Sequence, residues 1–262
     1  ARMAALTSPD NVIAHRYRRA SDSGSGGSTS SGGVDDGPLD ARIISAVDRG
    51  LGLALYGRPD RPVPAAGAVL GVDVPDSGFA FRALCVDRGP RPGPGRLPAG
   101  AVGLHPQRLT ALLAGDCDAT MLNAGNELRA ELAGCRRLAR MPDLGRPYLG
   151  TVLAIVGPQQ QEPANRLAEA LQLTAAAVVG SELDEPAMTE ASAALDLPPE
   201  AARRYVDQLK DPEQGLVADG LVDPQALRTV VDLRRRYLPW FRAGPDQLAT
   251  ALEPNSGLLA PR

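Results

Sequence analysis

Short apolar runs of strand length alternate with helix-like segments over the first 156 residues, and this alternation restricts the chain to few folds. Apolar runs lie at residues 3–6, 43–47 and 68–72, residues 118–122 have the character of another short strand, and polar turns or segments of helical periodicity follow them. Strands that alternate with helices of about ten residues are typical of an α/β fold. The sequence therefore predicts an α/β fold with a mainly parallel sheet.

The C-terminal part of the chain has a different pattern. Proline stands at or near the start of several segments of helical periodicity, where its missing N–H group would have no partner in any case. This predicts a C-terminal helical block. Predicted helices cover residues 12–19, 75–86, 106–114, 127–133, 163–179, 187–195, 199–209 and 224–241.

Two extended segments are long enough to cross between two lobes. In the first, the run at 43–47 is followed by Leu51, Leu53 and Leu55 in period-two alternation, and the second covers residues 147–156. Residues 21–33 are almost pure Ser and Gly, and residues 89–100 are rich in Gly and Pro. Such segments bury little apolar surface, so both are predicted as loops. The Ser/Gly stretch is predicted to be flexible, and both a natural insert and an engineered linker fit its composition.

Charge and composition exclude several classes of protein. The net charge of -3 and the pI near 5.5 give no general attraction to phosphate, so no nucleic-acid partner is expected. No apolar run approaches the roughly 18 residues that a membrane-spanning helix needs. The three cysteines, Cys85, Cys117 and Cys135, lack metal-ligand spacing and are interpreted as small buried side chains. One disulfide stays open if the protein is exported.

Motifs for catalysis or cofactor binding are not found. The sequence has no GxSxG elbow, no HExxH, no CxxC, no GxxxxGK[ST] and no GxGxxG after a strand, so no catalytic, metal or cofactor residues are assigned. Lys210 is the only lysine and falls in the helical block, which argues against a pyridoxal-dependent enzyme. No signal segment stands at the start, which leaves two interpretations open: a cytosolic protein, or a natural N-terminus that lies upstream.

Polar residues stand at three predicted junctions between a strand and a helix. In open α/β sheets, ligands bind beyond the carboxyl ends of the strands, where unpaired N–H groups at helix N-termini favour polar or anionic groups. Simple helix capping accounts for each junction alone, whereas three of them in one chain favour a cleft. The junctions are Ser8-Pro9-Asp10-Asn11, Asp73-Val74-Pro75-Asp76-Ser77-Gly78-Phe79 and Leu122-Asn123-Ala124-Gly125-Asn126.

The order of these segments resembles the substrate-binding proteins of ABC transporters. The chain is most similar to the type II periplasmic-binding fold of the nitrate, sulfonate, taurine and thiamine-precursor group, from residue 1 to about residue 240 with gaps at the two loops. Two departures are the start of the chain almost directly at the Ser8 turn and His105 before Pro106, where the group usually has a small hydroxyl residue. The resemblance is carried by residues 8–12, 46–51, 71–81, 108–115, 118–125 and 147–151.

The resemblance implies a two-lobe periplasmic-binding-protein-like fold that closes on a ligand. Lobe one would comprise residues 1–50 with 152–262, its first part lying before residue 1, and lobe two residues 51–151. A small polar or anionic ligand is expected, because aromatic residues for sugar stacking are scarce. The implied ligand-binding residues are Ser8, Asp10, Asn11, Asp73, Ser77, Gly78, Phe79, His105, Asn123, Gly125 and Tyr148.

The resemblance also implies partners and a location. The partners would be a small-molecule ligand and the membrane subunits of an ABC transporter, with the protein itself a monomer. It would be extracytoplasmic if a signal segment has been removed and cytoplasmic otherwise. Two alternatives stay open: an enzyme on the same fold that acts on a small acid or a pyrimidine precursor, and a cytosolic ligand sensor.

Overall fold

A computed structural model describes residues 3–17, 39–60, 69–72, 99–101, 105–237, 250–253 and 256–261. These ranges contain eight strands and seven α-helices. In chain order they are β1 (Met3–Thr7), α1 (Pro9–Arg16), β2 (Ala41–Ala46), β3 (Ala54–Gly57), β4 (Leu70–Val72), β5 (Ala99–Ala101), α2 (His105–Ala114), β6 (Ala119–Leu122), α3 (Asn126–Leu132), β7 (Arg136–Arg140), β8 (Val152–Val156), α4 (Gln161–Val179), α5 (Asp184–Leu195), α6 (Pro199–Lys210) and α7 (Pro224–Tyr237).

The strands form two sheets, each covered by helices. One sheet has the order β1-β8-β2, and the other has the order β5-β4-β6-β3-β7. Helices α1 and α4 pack on the first sheet, and α2 packs on the second. The predicted two-lobe α/β architecture is confirmed. The first sheet takes its strands from residues 3–46 and 152–156, and the second from residues 54–140. The lobe boundaries given above stay a prediction.

The prediction of a mainly parallel sheet is wrong. Strand β8 lies antiparallel to both β1 and β2, and β3 lies antiparallel to both β6 and β7. Only the pairs of β4 with β5 and with β6 are parallel among the described strands. The chain leaves the first sheet after β2 and returns through β8, so β8 runs against its neighbours.

Most predicted elements are found, with shifts at their ends. Helix α1 begins at Pro9 instead of Val12, because the Ser8 hydroxyl accepts a hydrogen bond from the Asp10 amide and caps the helix there. The first crossing has a turn at residues 51–52 before β3, and β5 lies at the end of the predicted loop 89–100. The flexible loop at 21–33 and the helix at 75–86 lie outside the described residues.

Apolar side chains form a cluster that continues from one sheet to the other. Ile43 and Val152 contribute from the first sheet, and Leu55 and Met121 contribute from the second. The interiors of β3 and β6 are buried throughout, as expected for strands covered on both faces. One apolar core therefore contains side chains from both sheets.

Two of the three cysteines are placed by the structure. Cys117 and Cys135 are buried and free, and burial raises the pKa of Cys117 to about 11. Their interpretation as packing side chains is confirmed, while Cys85 lies outside the described residues. Among the described helices, none combines the length and apolar character needed to cross a bilayer.

Candidate ligand site at the junction of the two sheets

The two chain crossings between the sheets lie side by side and are hydrogen-bonded to each other. The amide of Val47 donates to the carbonyl of Thr151 at 2.9 Å, and the amide of Gly150 donates to the carbonyl of Asp48 at 3.0 Å. A third segment joins them, because the amide of Val217 donates to the carbonyl of Val47 at 2.9 Å. The junction is thus built from residues 47–53, 148–151 and 215–217.

Asp48 is buried at the centre of this junction. Its Oδ1 accepts hydrogen bonds from the Gly50 amide at 2.7 Å and from the Thr151 amide at 3.2 Å. Burial raises the pKa of Asp48, and these hydrogen bonds oppose that rise. The carboxylate therefore connects the first crossing to the second, a role that no local pattern in the sequence indicates.

Tyr148 lies on the second crossing and is almost fully buried. Its ring lies against Gly50, where an added Cβ would be 3.1 Å from Tyr148 Cδ1. Burial raises the pKa of Tyr148, and the nearby negative charges of Asp10 and Asp48 raise it further. The charge of one predicted site residue, Asp10, therefore acts on the hydroxyl group of another, Tyr148.

Asp10 lies in the first turn of α1 and is held by a buried ion pair. Arg234 on α7 donates from Nη1 to Asp10 Oδ1, and both side chains are buried. Burial raises the pKa of Asp10, while the guanidinium of Arg234 opposes that rise. The carboxylate thus has a partner within the fold, and its role as a ligand contact stays a prediction.

Ser8 and Asn11 occupy the same turn but use their polar groups differently. Ser8 caps α1, and the Asn11 side chain is exposed and donates from Nδ2 to Thr7 Oγ1 at 3.0 Å. Asn11 and Thr7 border a mainly apolar cavity of about 310 Å³ between α1 and the first sheet. None of the residues that line this cavity comes from the second sheet, so Asn11 and Asn123 do not share it.

The turn between β6 and α3 lies against the first crossing. The amide of Ala124 donates to the carbonyl of Leu51 at 3.4 Å, and Asn123 is partly exposed beside it. Ala124 and Gly125 both have positive φ, at 52° and 89°. A left-handed alanine costs roughly 1–2 kcal/mol, so the fold holds this turn in a strained conformation.

The remaining predicted site residues are not placed. Asp73, Ser77, Gly78 and Phe79 lie outside the described residues, and His105 is described only as the first residue of α2. The described part of the chain holds no group of three or more His, Cys, Asp or Glu arranged for a metal ion.

Sequence comparisons give no match, and structural comparisons give a consistent fold. Neither a family model nor a curated protein sequence matches the chain. The alkanesulfonate-binding protein SsuA from Xanthomonas axonopodis pv. citri, solved bound to MOPS, is similar over 90% of this chain and 76% of its own, with a TM-score of 0.64 and 14% identity.

Two further solved structures extend the comparison. The Candida albicans CA3427 gene product, described as having the generic periplasmic binding protein fold, matches 97% of this chain and 78% of its own, with a TM-score of 0.64 and 12% identity. The desulfurization enzyme DSZB matches 96% of this chain and 85% of its own, with a TM-score of 0.55 and 13% identity. The chain therefore has the periplasmic-binding-protein fold, on which both binding proteins and an enzyme are built.

Proposed function

We propose that this chain is a solute-binding protein that holds a small polar or anionic ligand between its two lobes for an ABC transporter. The observation that carries the proposal is structural: 90% of the chain superposes on a sulfonate-binding protein, with a TM-score of 0.64. The proposal includes membership of the nitrate, sulfonate, taurine and thiamine-precursor group, a location outside the cytoplasm and a monomeric state. It also includes lobe one at residues 1–50 with 152–262 and lobe two at residues 51–151.

The junction geometry supports a ligand position close to the two crossings. Tyr148 lies near Asp10 and Asp48, and the strained turn at Asn123 contacts the first crossing at Leu51. Asn123 is partly exposed, and its side-chain amide makes no hydrogen bond among the described residues. Ser77 and the backbone of Gly78 and Phe79 are proposed as further contacts.

Closure of the lobes is the proposed mechanism of capture. A ligand that touches both lobes favours the closed arrangement, because only there are all its contacts made. The paired crossings at Asp48 and Gly150 are the segments that such a motion would bend, since they join the two sheets.

Ligand binding is tested by thermal unfolding of the full chain with ethanesulfonate, taurine, nitrate and an aminopyrimidine. A probe at one hundred times its Kd is expected to stabilise the fold by about 2.7 kcal/mol, which corresponds to roughly 5–10 °C in Tm. Calorimetry then gives the Kd of each probe that raises the Tm. If no probe of the four raises the Tm, the proposed ligand class is wrong.

Substitution of Asn123 tests the position of the site. We expect Asn123→Ala to weaken binding about tenfold, because the loss of one buried hydrogen bond costs about 1–2 kcal/mol. Asn165→Ala, on an exposed position of α4, is the matched control and is expected to leave the Kd unchanged. Equal affinities of the two variants would place the ligand elsewhere.

A second candidate function, an enzyme for small organic acids or sulfur compounds, is favoured by the similarity to DSZB over 96% of the chain. The two described cysteines are buried, and burial raises the pKa of both, which makes them weak nucleophiles. Mass spectrometry of a bound probe after incubation separates the two functions: a binding protein returns the probe unchanged, and an enzyme returns a product.

A further inference from the structure

Glu127 is a buried carboxylic acid whose carboxylate oxygens make no hydrogen bond to another side chain among the described residues. It lies in the first turn of α3 and is 1% exposed, and neither of its carboxylate oxygens has a side-chain donor among the described residues. Leaving a carboxylate buried and unpaired costs several kcal/mol, so such a group takes up a proton or a cation. The next acid on the same helix, Glu131, has the ion-pair partner that Glu127 lacks: Arg204 donates to it at 2.5 Å.

Gln208 supplies a second unpaired acceptor at the same place. Its Oε1 on α6 is buried and has no hydrogen-bond partner among the described residues. A Cβ added to Gly52, on the first crossing, would lie 2.8 Å from Glu127 Oε1 and 3.2 Å from Gln208 Oε1. Both acceptor oxygens thus lie within 3.2 Å of one point beside the first crossing.

The charges around Glu127 come from three elements. Glu131 on α3 raises the pKa of Glu127 and Arg204 on α6 lowers it, while the backbone amides of Gly125 and Glu127 also lower it. Burial raises the pKa of Tyr205 on α6 to about 12, and the negative charges of Glu127 and Asp48 contribute to that rise. Burial is the largest effect on Glu127 and raises its pKa to about 7.

We propose that Glu127 holds a proton in the folded protein and donates its O–H group to Gln208 Oε1, which joins α3 to α6 beside the first crossing. The proton removes the buried negative charge of Glu127 and gives Gln208 Oε1 a donor. Release of the proton to solvent leaves a carboxylate facing an amide oxygen, which repels it. The contact between α3 and α6 is therefore expected to be tighter at pH 6 than at pH 8. This inference does not depend on the identity of any ligand.

Thermal or urea unfolding between pH 5 and pH 8 tests the protonation. Because the pKa of Glu127 is higher in the folded than in the unfolded chain, its contribution to stability is present at low pH and is lost as pH rises through about 7. Relative to Glu127→Gln, whose amide N–H donates at every pH, the wild-type folding equilibrium is expected to fall on the order of 50-fold over this range. Glu169→Gln, exposed on α4, is the control and is expected to parallel the wild type. If the ratio of the folding equilibrium constants of the wild type and Glu127→Gln does not change with pH, the proposal is overturned.

Two spectroscopic measurements on folded protein complete the test. The side-chain carboxyl carbon of Glu127, followed by NMR in the wild-type chain, is expected to titrate near pH 7. A midpoint below pH 5 would show that Gln208 donates to an ionised Glu127 instead, and the proposal would fail. Infrared difference spectra locate the hydrogen bond: Gln208→Leu is expected to shift the C=O stretch of the protonated carboxyl to higher frequency, and an unchanged band would exclude Gln208 as the acceptor.

Discussion

Replacing Arg234 by methionine is expected to destabilise the protein by about 3–5 kcal/mol, the largest effect predicted for a single substitution in this chain. Arg234 is 0% exposed on α7 and donates to Asp10, which is itself buried in the first turn of α1. Methionine fills a similar volume but leaves the carboxylate of Asp10 without its charged partner. The cost arises from that uncompensated buried charge and not from lost packing.

Urea unfolding of four variants, Arg234→Met, Asp10→Asn, the double variant and Arg235→Met, separates the ion pair from its surroundings. Arg235→Met changes the neighbouring exposed arginine and is expected to shift the free energy of unfolding by less than about 0.5 kcal/mol. The double variant Asp10→Asn with Arg234→Met removes both charges, and its loss is expected to be smaller than the sum of the two single losses. A loss below about 1 kcal/mol in Arg234→Met would show that the pair contributes little to folding.

The same substitution carries a pH dependence. Without Arg234, the pKa of Asp10 is expected to rise further, because burial raises it and the opposing guanidinium is gone. A raised folded-state pKa gives stability that is present at low pH and lost as pH increases. The gap in stability between the wild type and Arg234→Met should therefore widen from pH 5 to pH 8, and a gap that is constant with pH would contradict this explanation.

Local patterns predicted the elements of this fold because each element buries its own periodic set of apolar residues. Helix α7 shows this and its limit: Leu227, Val230 and Val231 mark its buried face at helical spacing, and Arg234 falls on the same face. The spacing predicts a helix over 224–241 but does not indicate that an arginine is buried. Its partner Asp10 is more than two hundred residues away in sequence, and only tertiary packing brings the two together.

Strand direction and two strands lay beyond local patterns. Strand β5 falls at the end of the Gly- and Pro-rich run at 89–100, which predicts a loop. Alternating strands and helices favour parallel neighbours, but the direction of a strand also depends on where the chain crosses between the sheets. Here the chain returns to the first sheet as β8, which lies between β1 and β2. Strand β7 was not predicted, because it begins with the exposed Arg136 and Arg137 instead of an apolar run. Charged residues are common on edge strands, where they discourage pairing with other chains.

The candidate site divides in a similar way. The polar turn at Ser8 and the extended segment at Tyr148 were identified from the sequence, since turns after strands and long extended runs are local features. Asp48, Glu127 and Gln208 were not identified, because a first-turn acid or a loop aspartate is ordinarily solvated. Their burial follows from the packing of α3 and α6 on the first crossing, which no local pattern reports.

Gly150→Ala is expected to destabilise the protein by about 3 kcal/mol, at the upper end of the range for overpacking. A Cβ at this position would collide with Asp48 Oδ1 and the Gly50 amide nitrogen and would lie 2.5 Å from Gly50 Cα. Two of these three atoms belong to the backbone, which cannot rotate aside as a flexible side chain can. The two crossings would have to separate, with loss of the hydrogen bond from the Gly150 amide to the Asp48 carbonyl.

Gly145→Ala is the control, because it adds the same methyl group where nothing lies within 4 Å. Its φ of 65° makes alanine unfavourable by roughly 1–2 kcal/mol, so backbone strain alone sets its cost. If close contact of the crossings holds the junction together, urea unfolding will show a larger loss for Gly150→Ala than for Gly145→Ala. An equal or smaller loss would mean that the crossings separate at little cost, and that the contact of Asp48 with Gly50 and Thr151 does not set the stability of the junction.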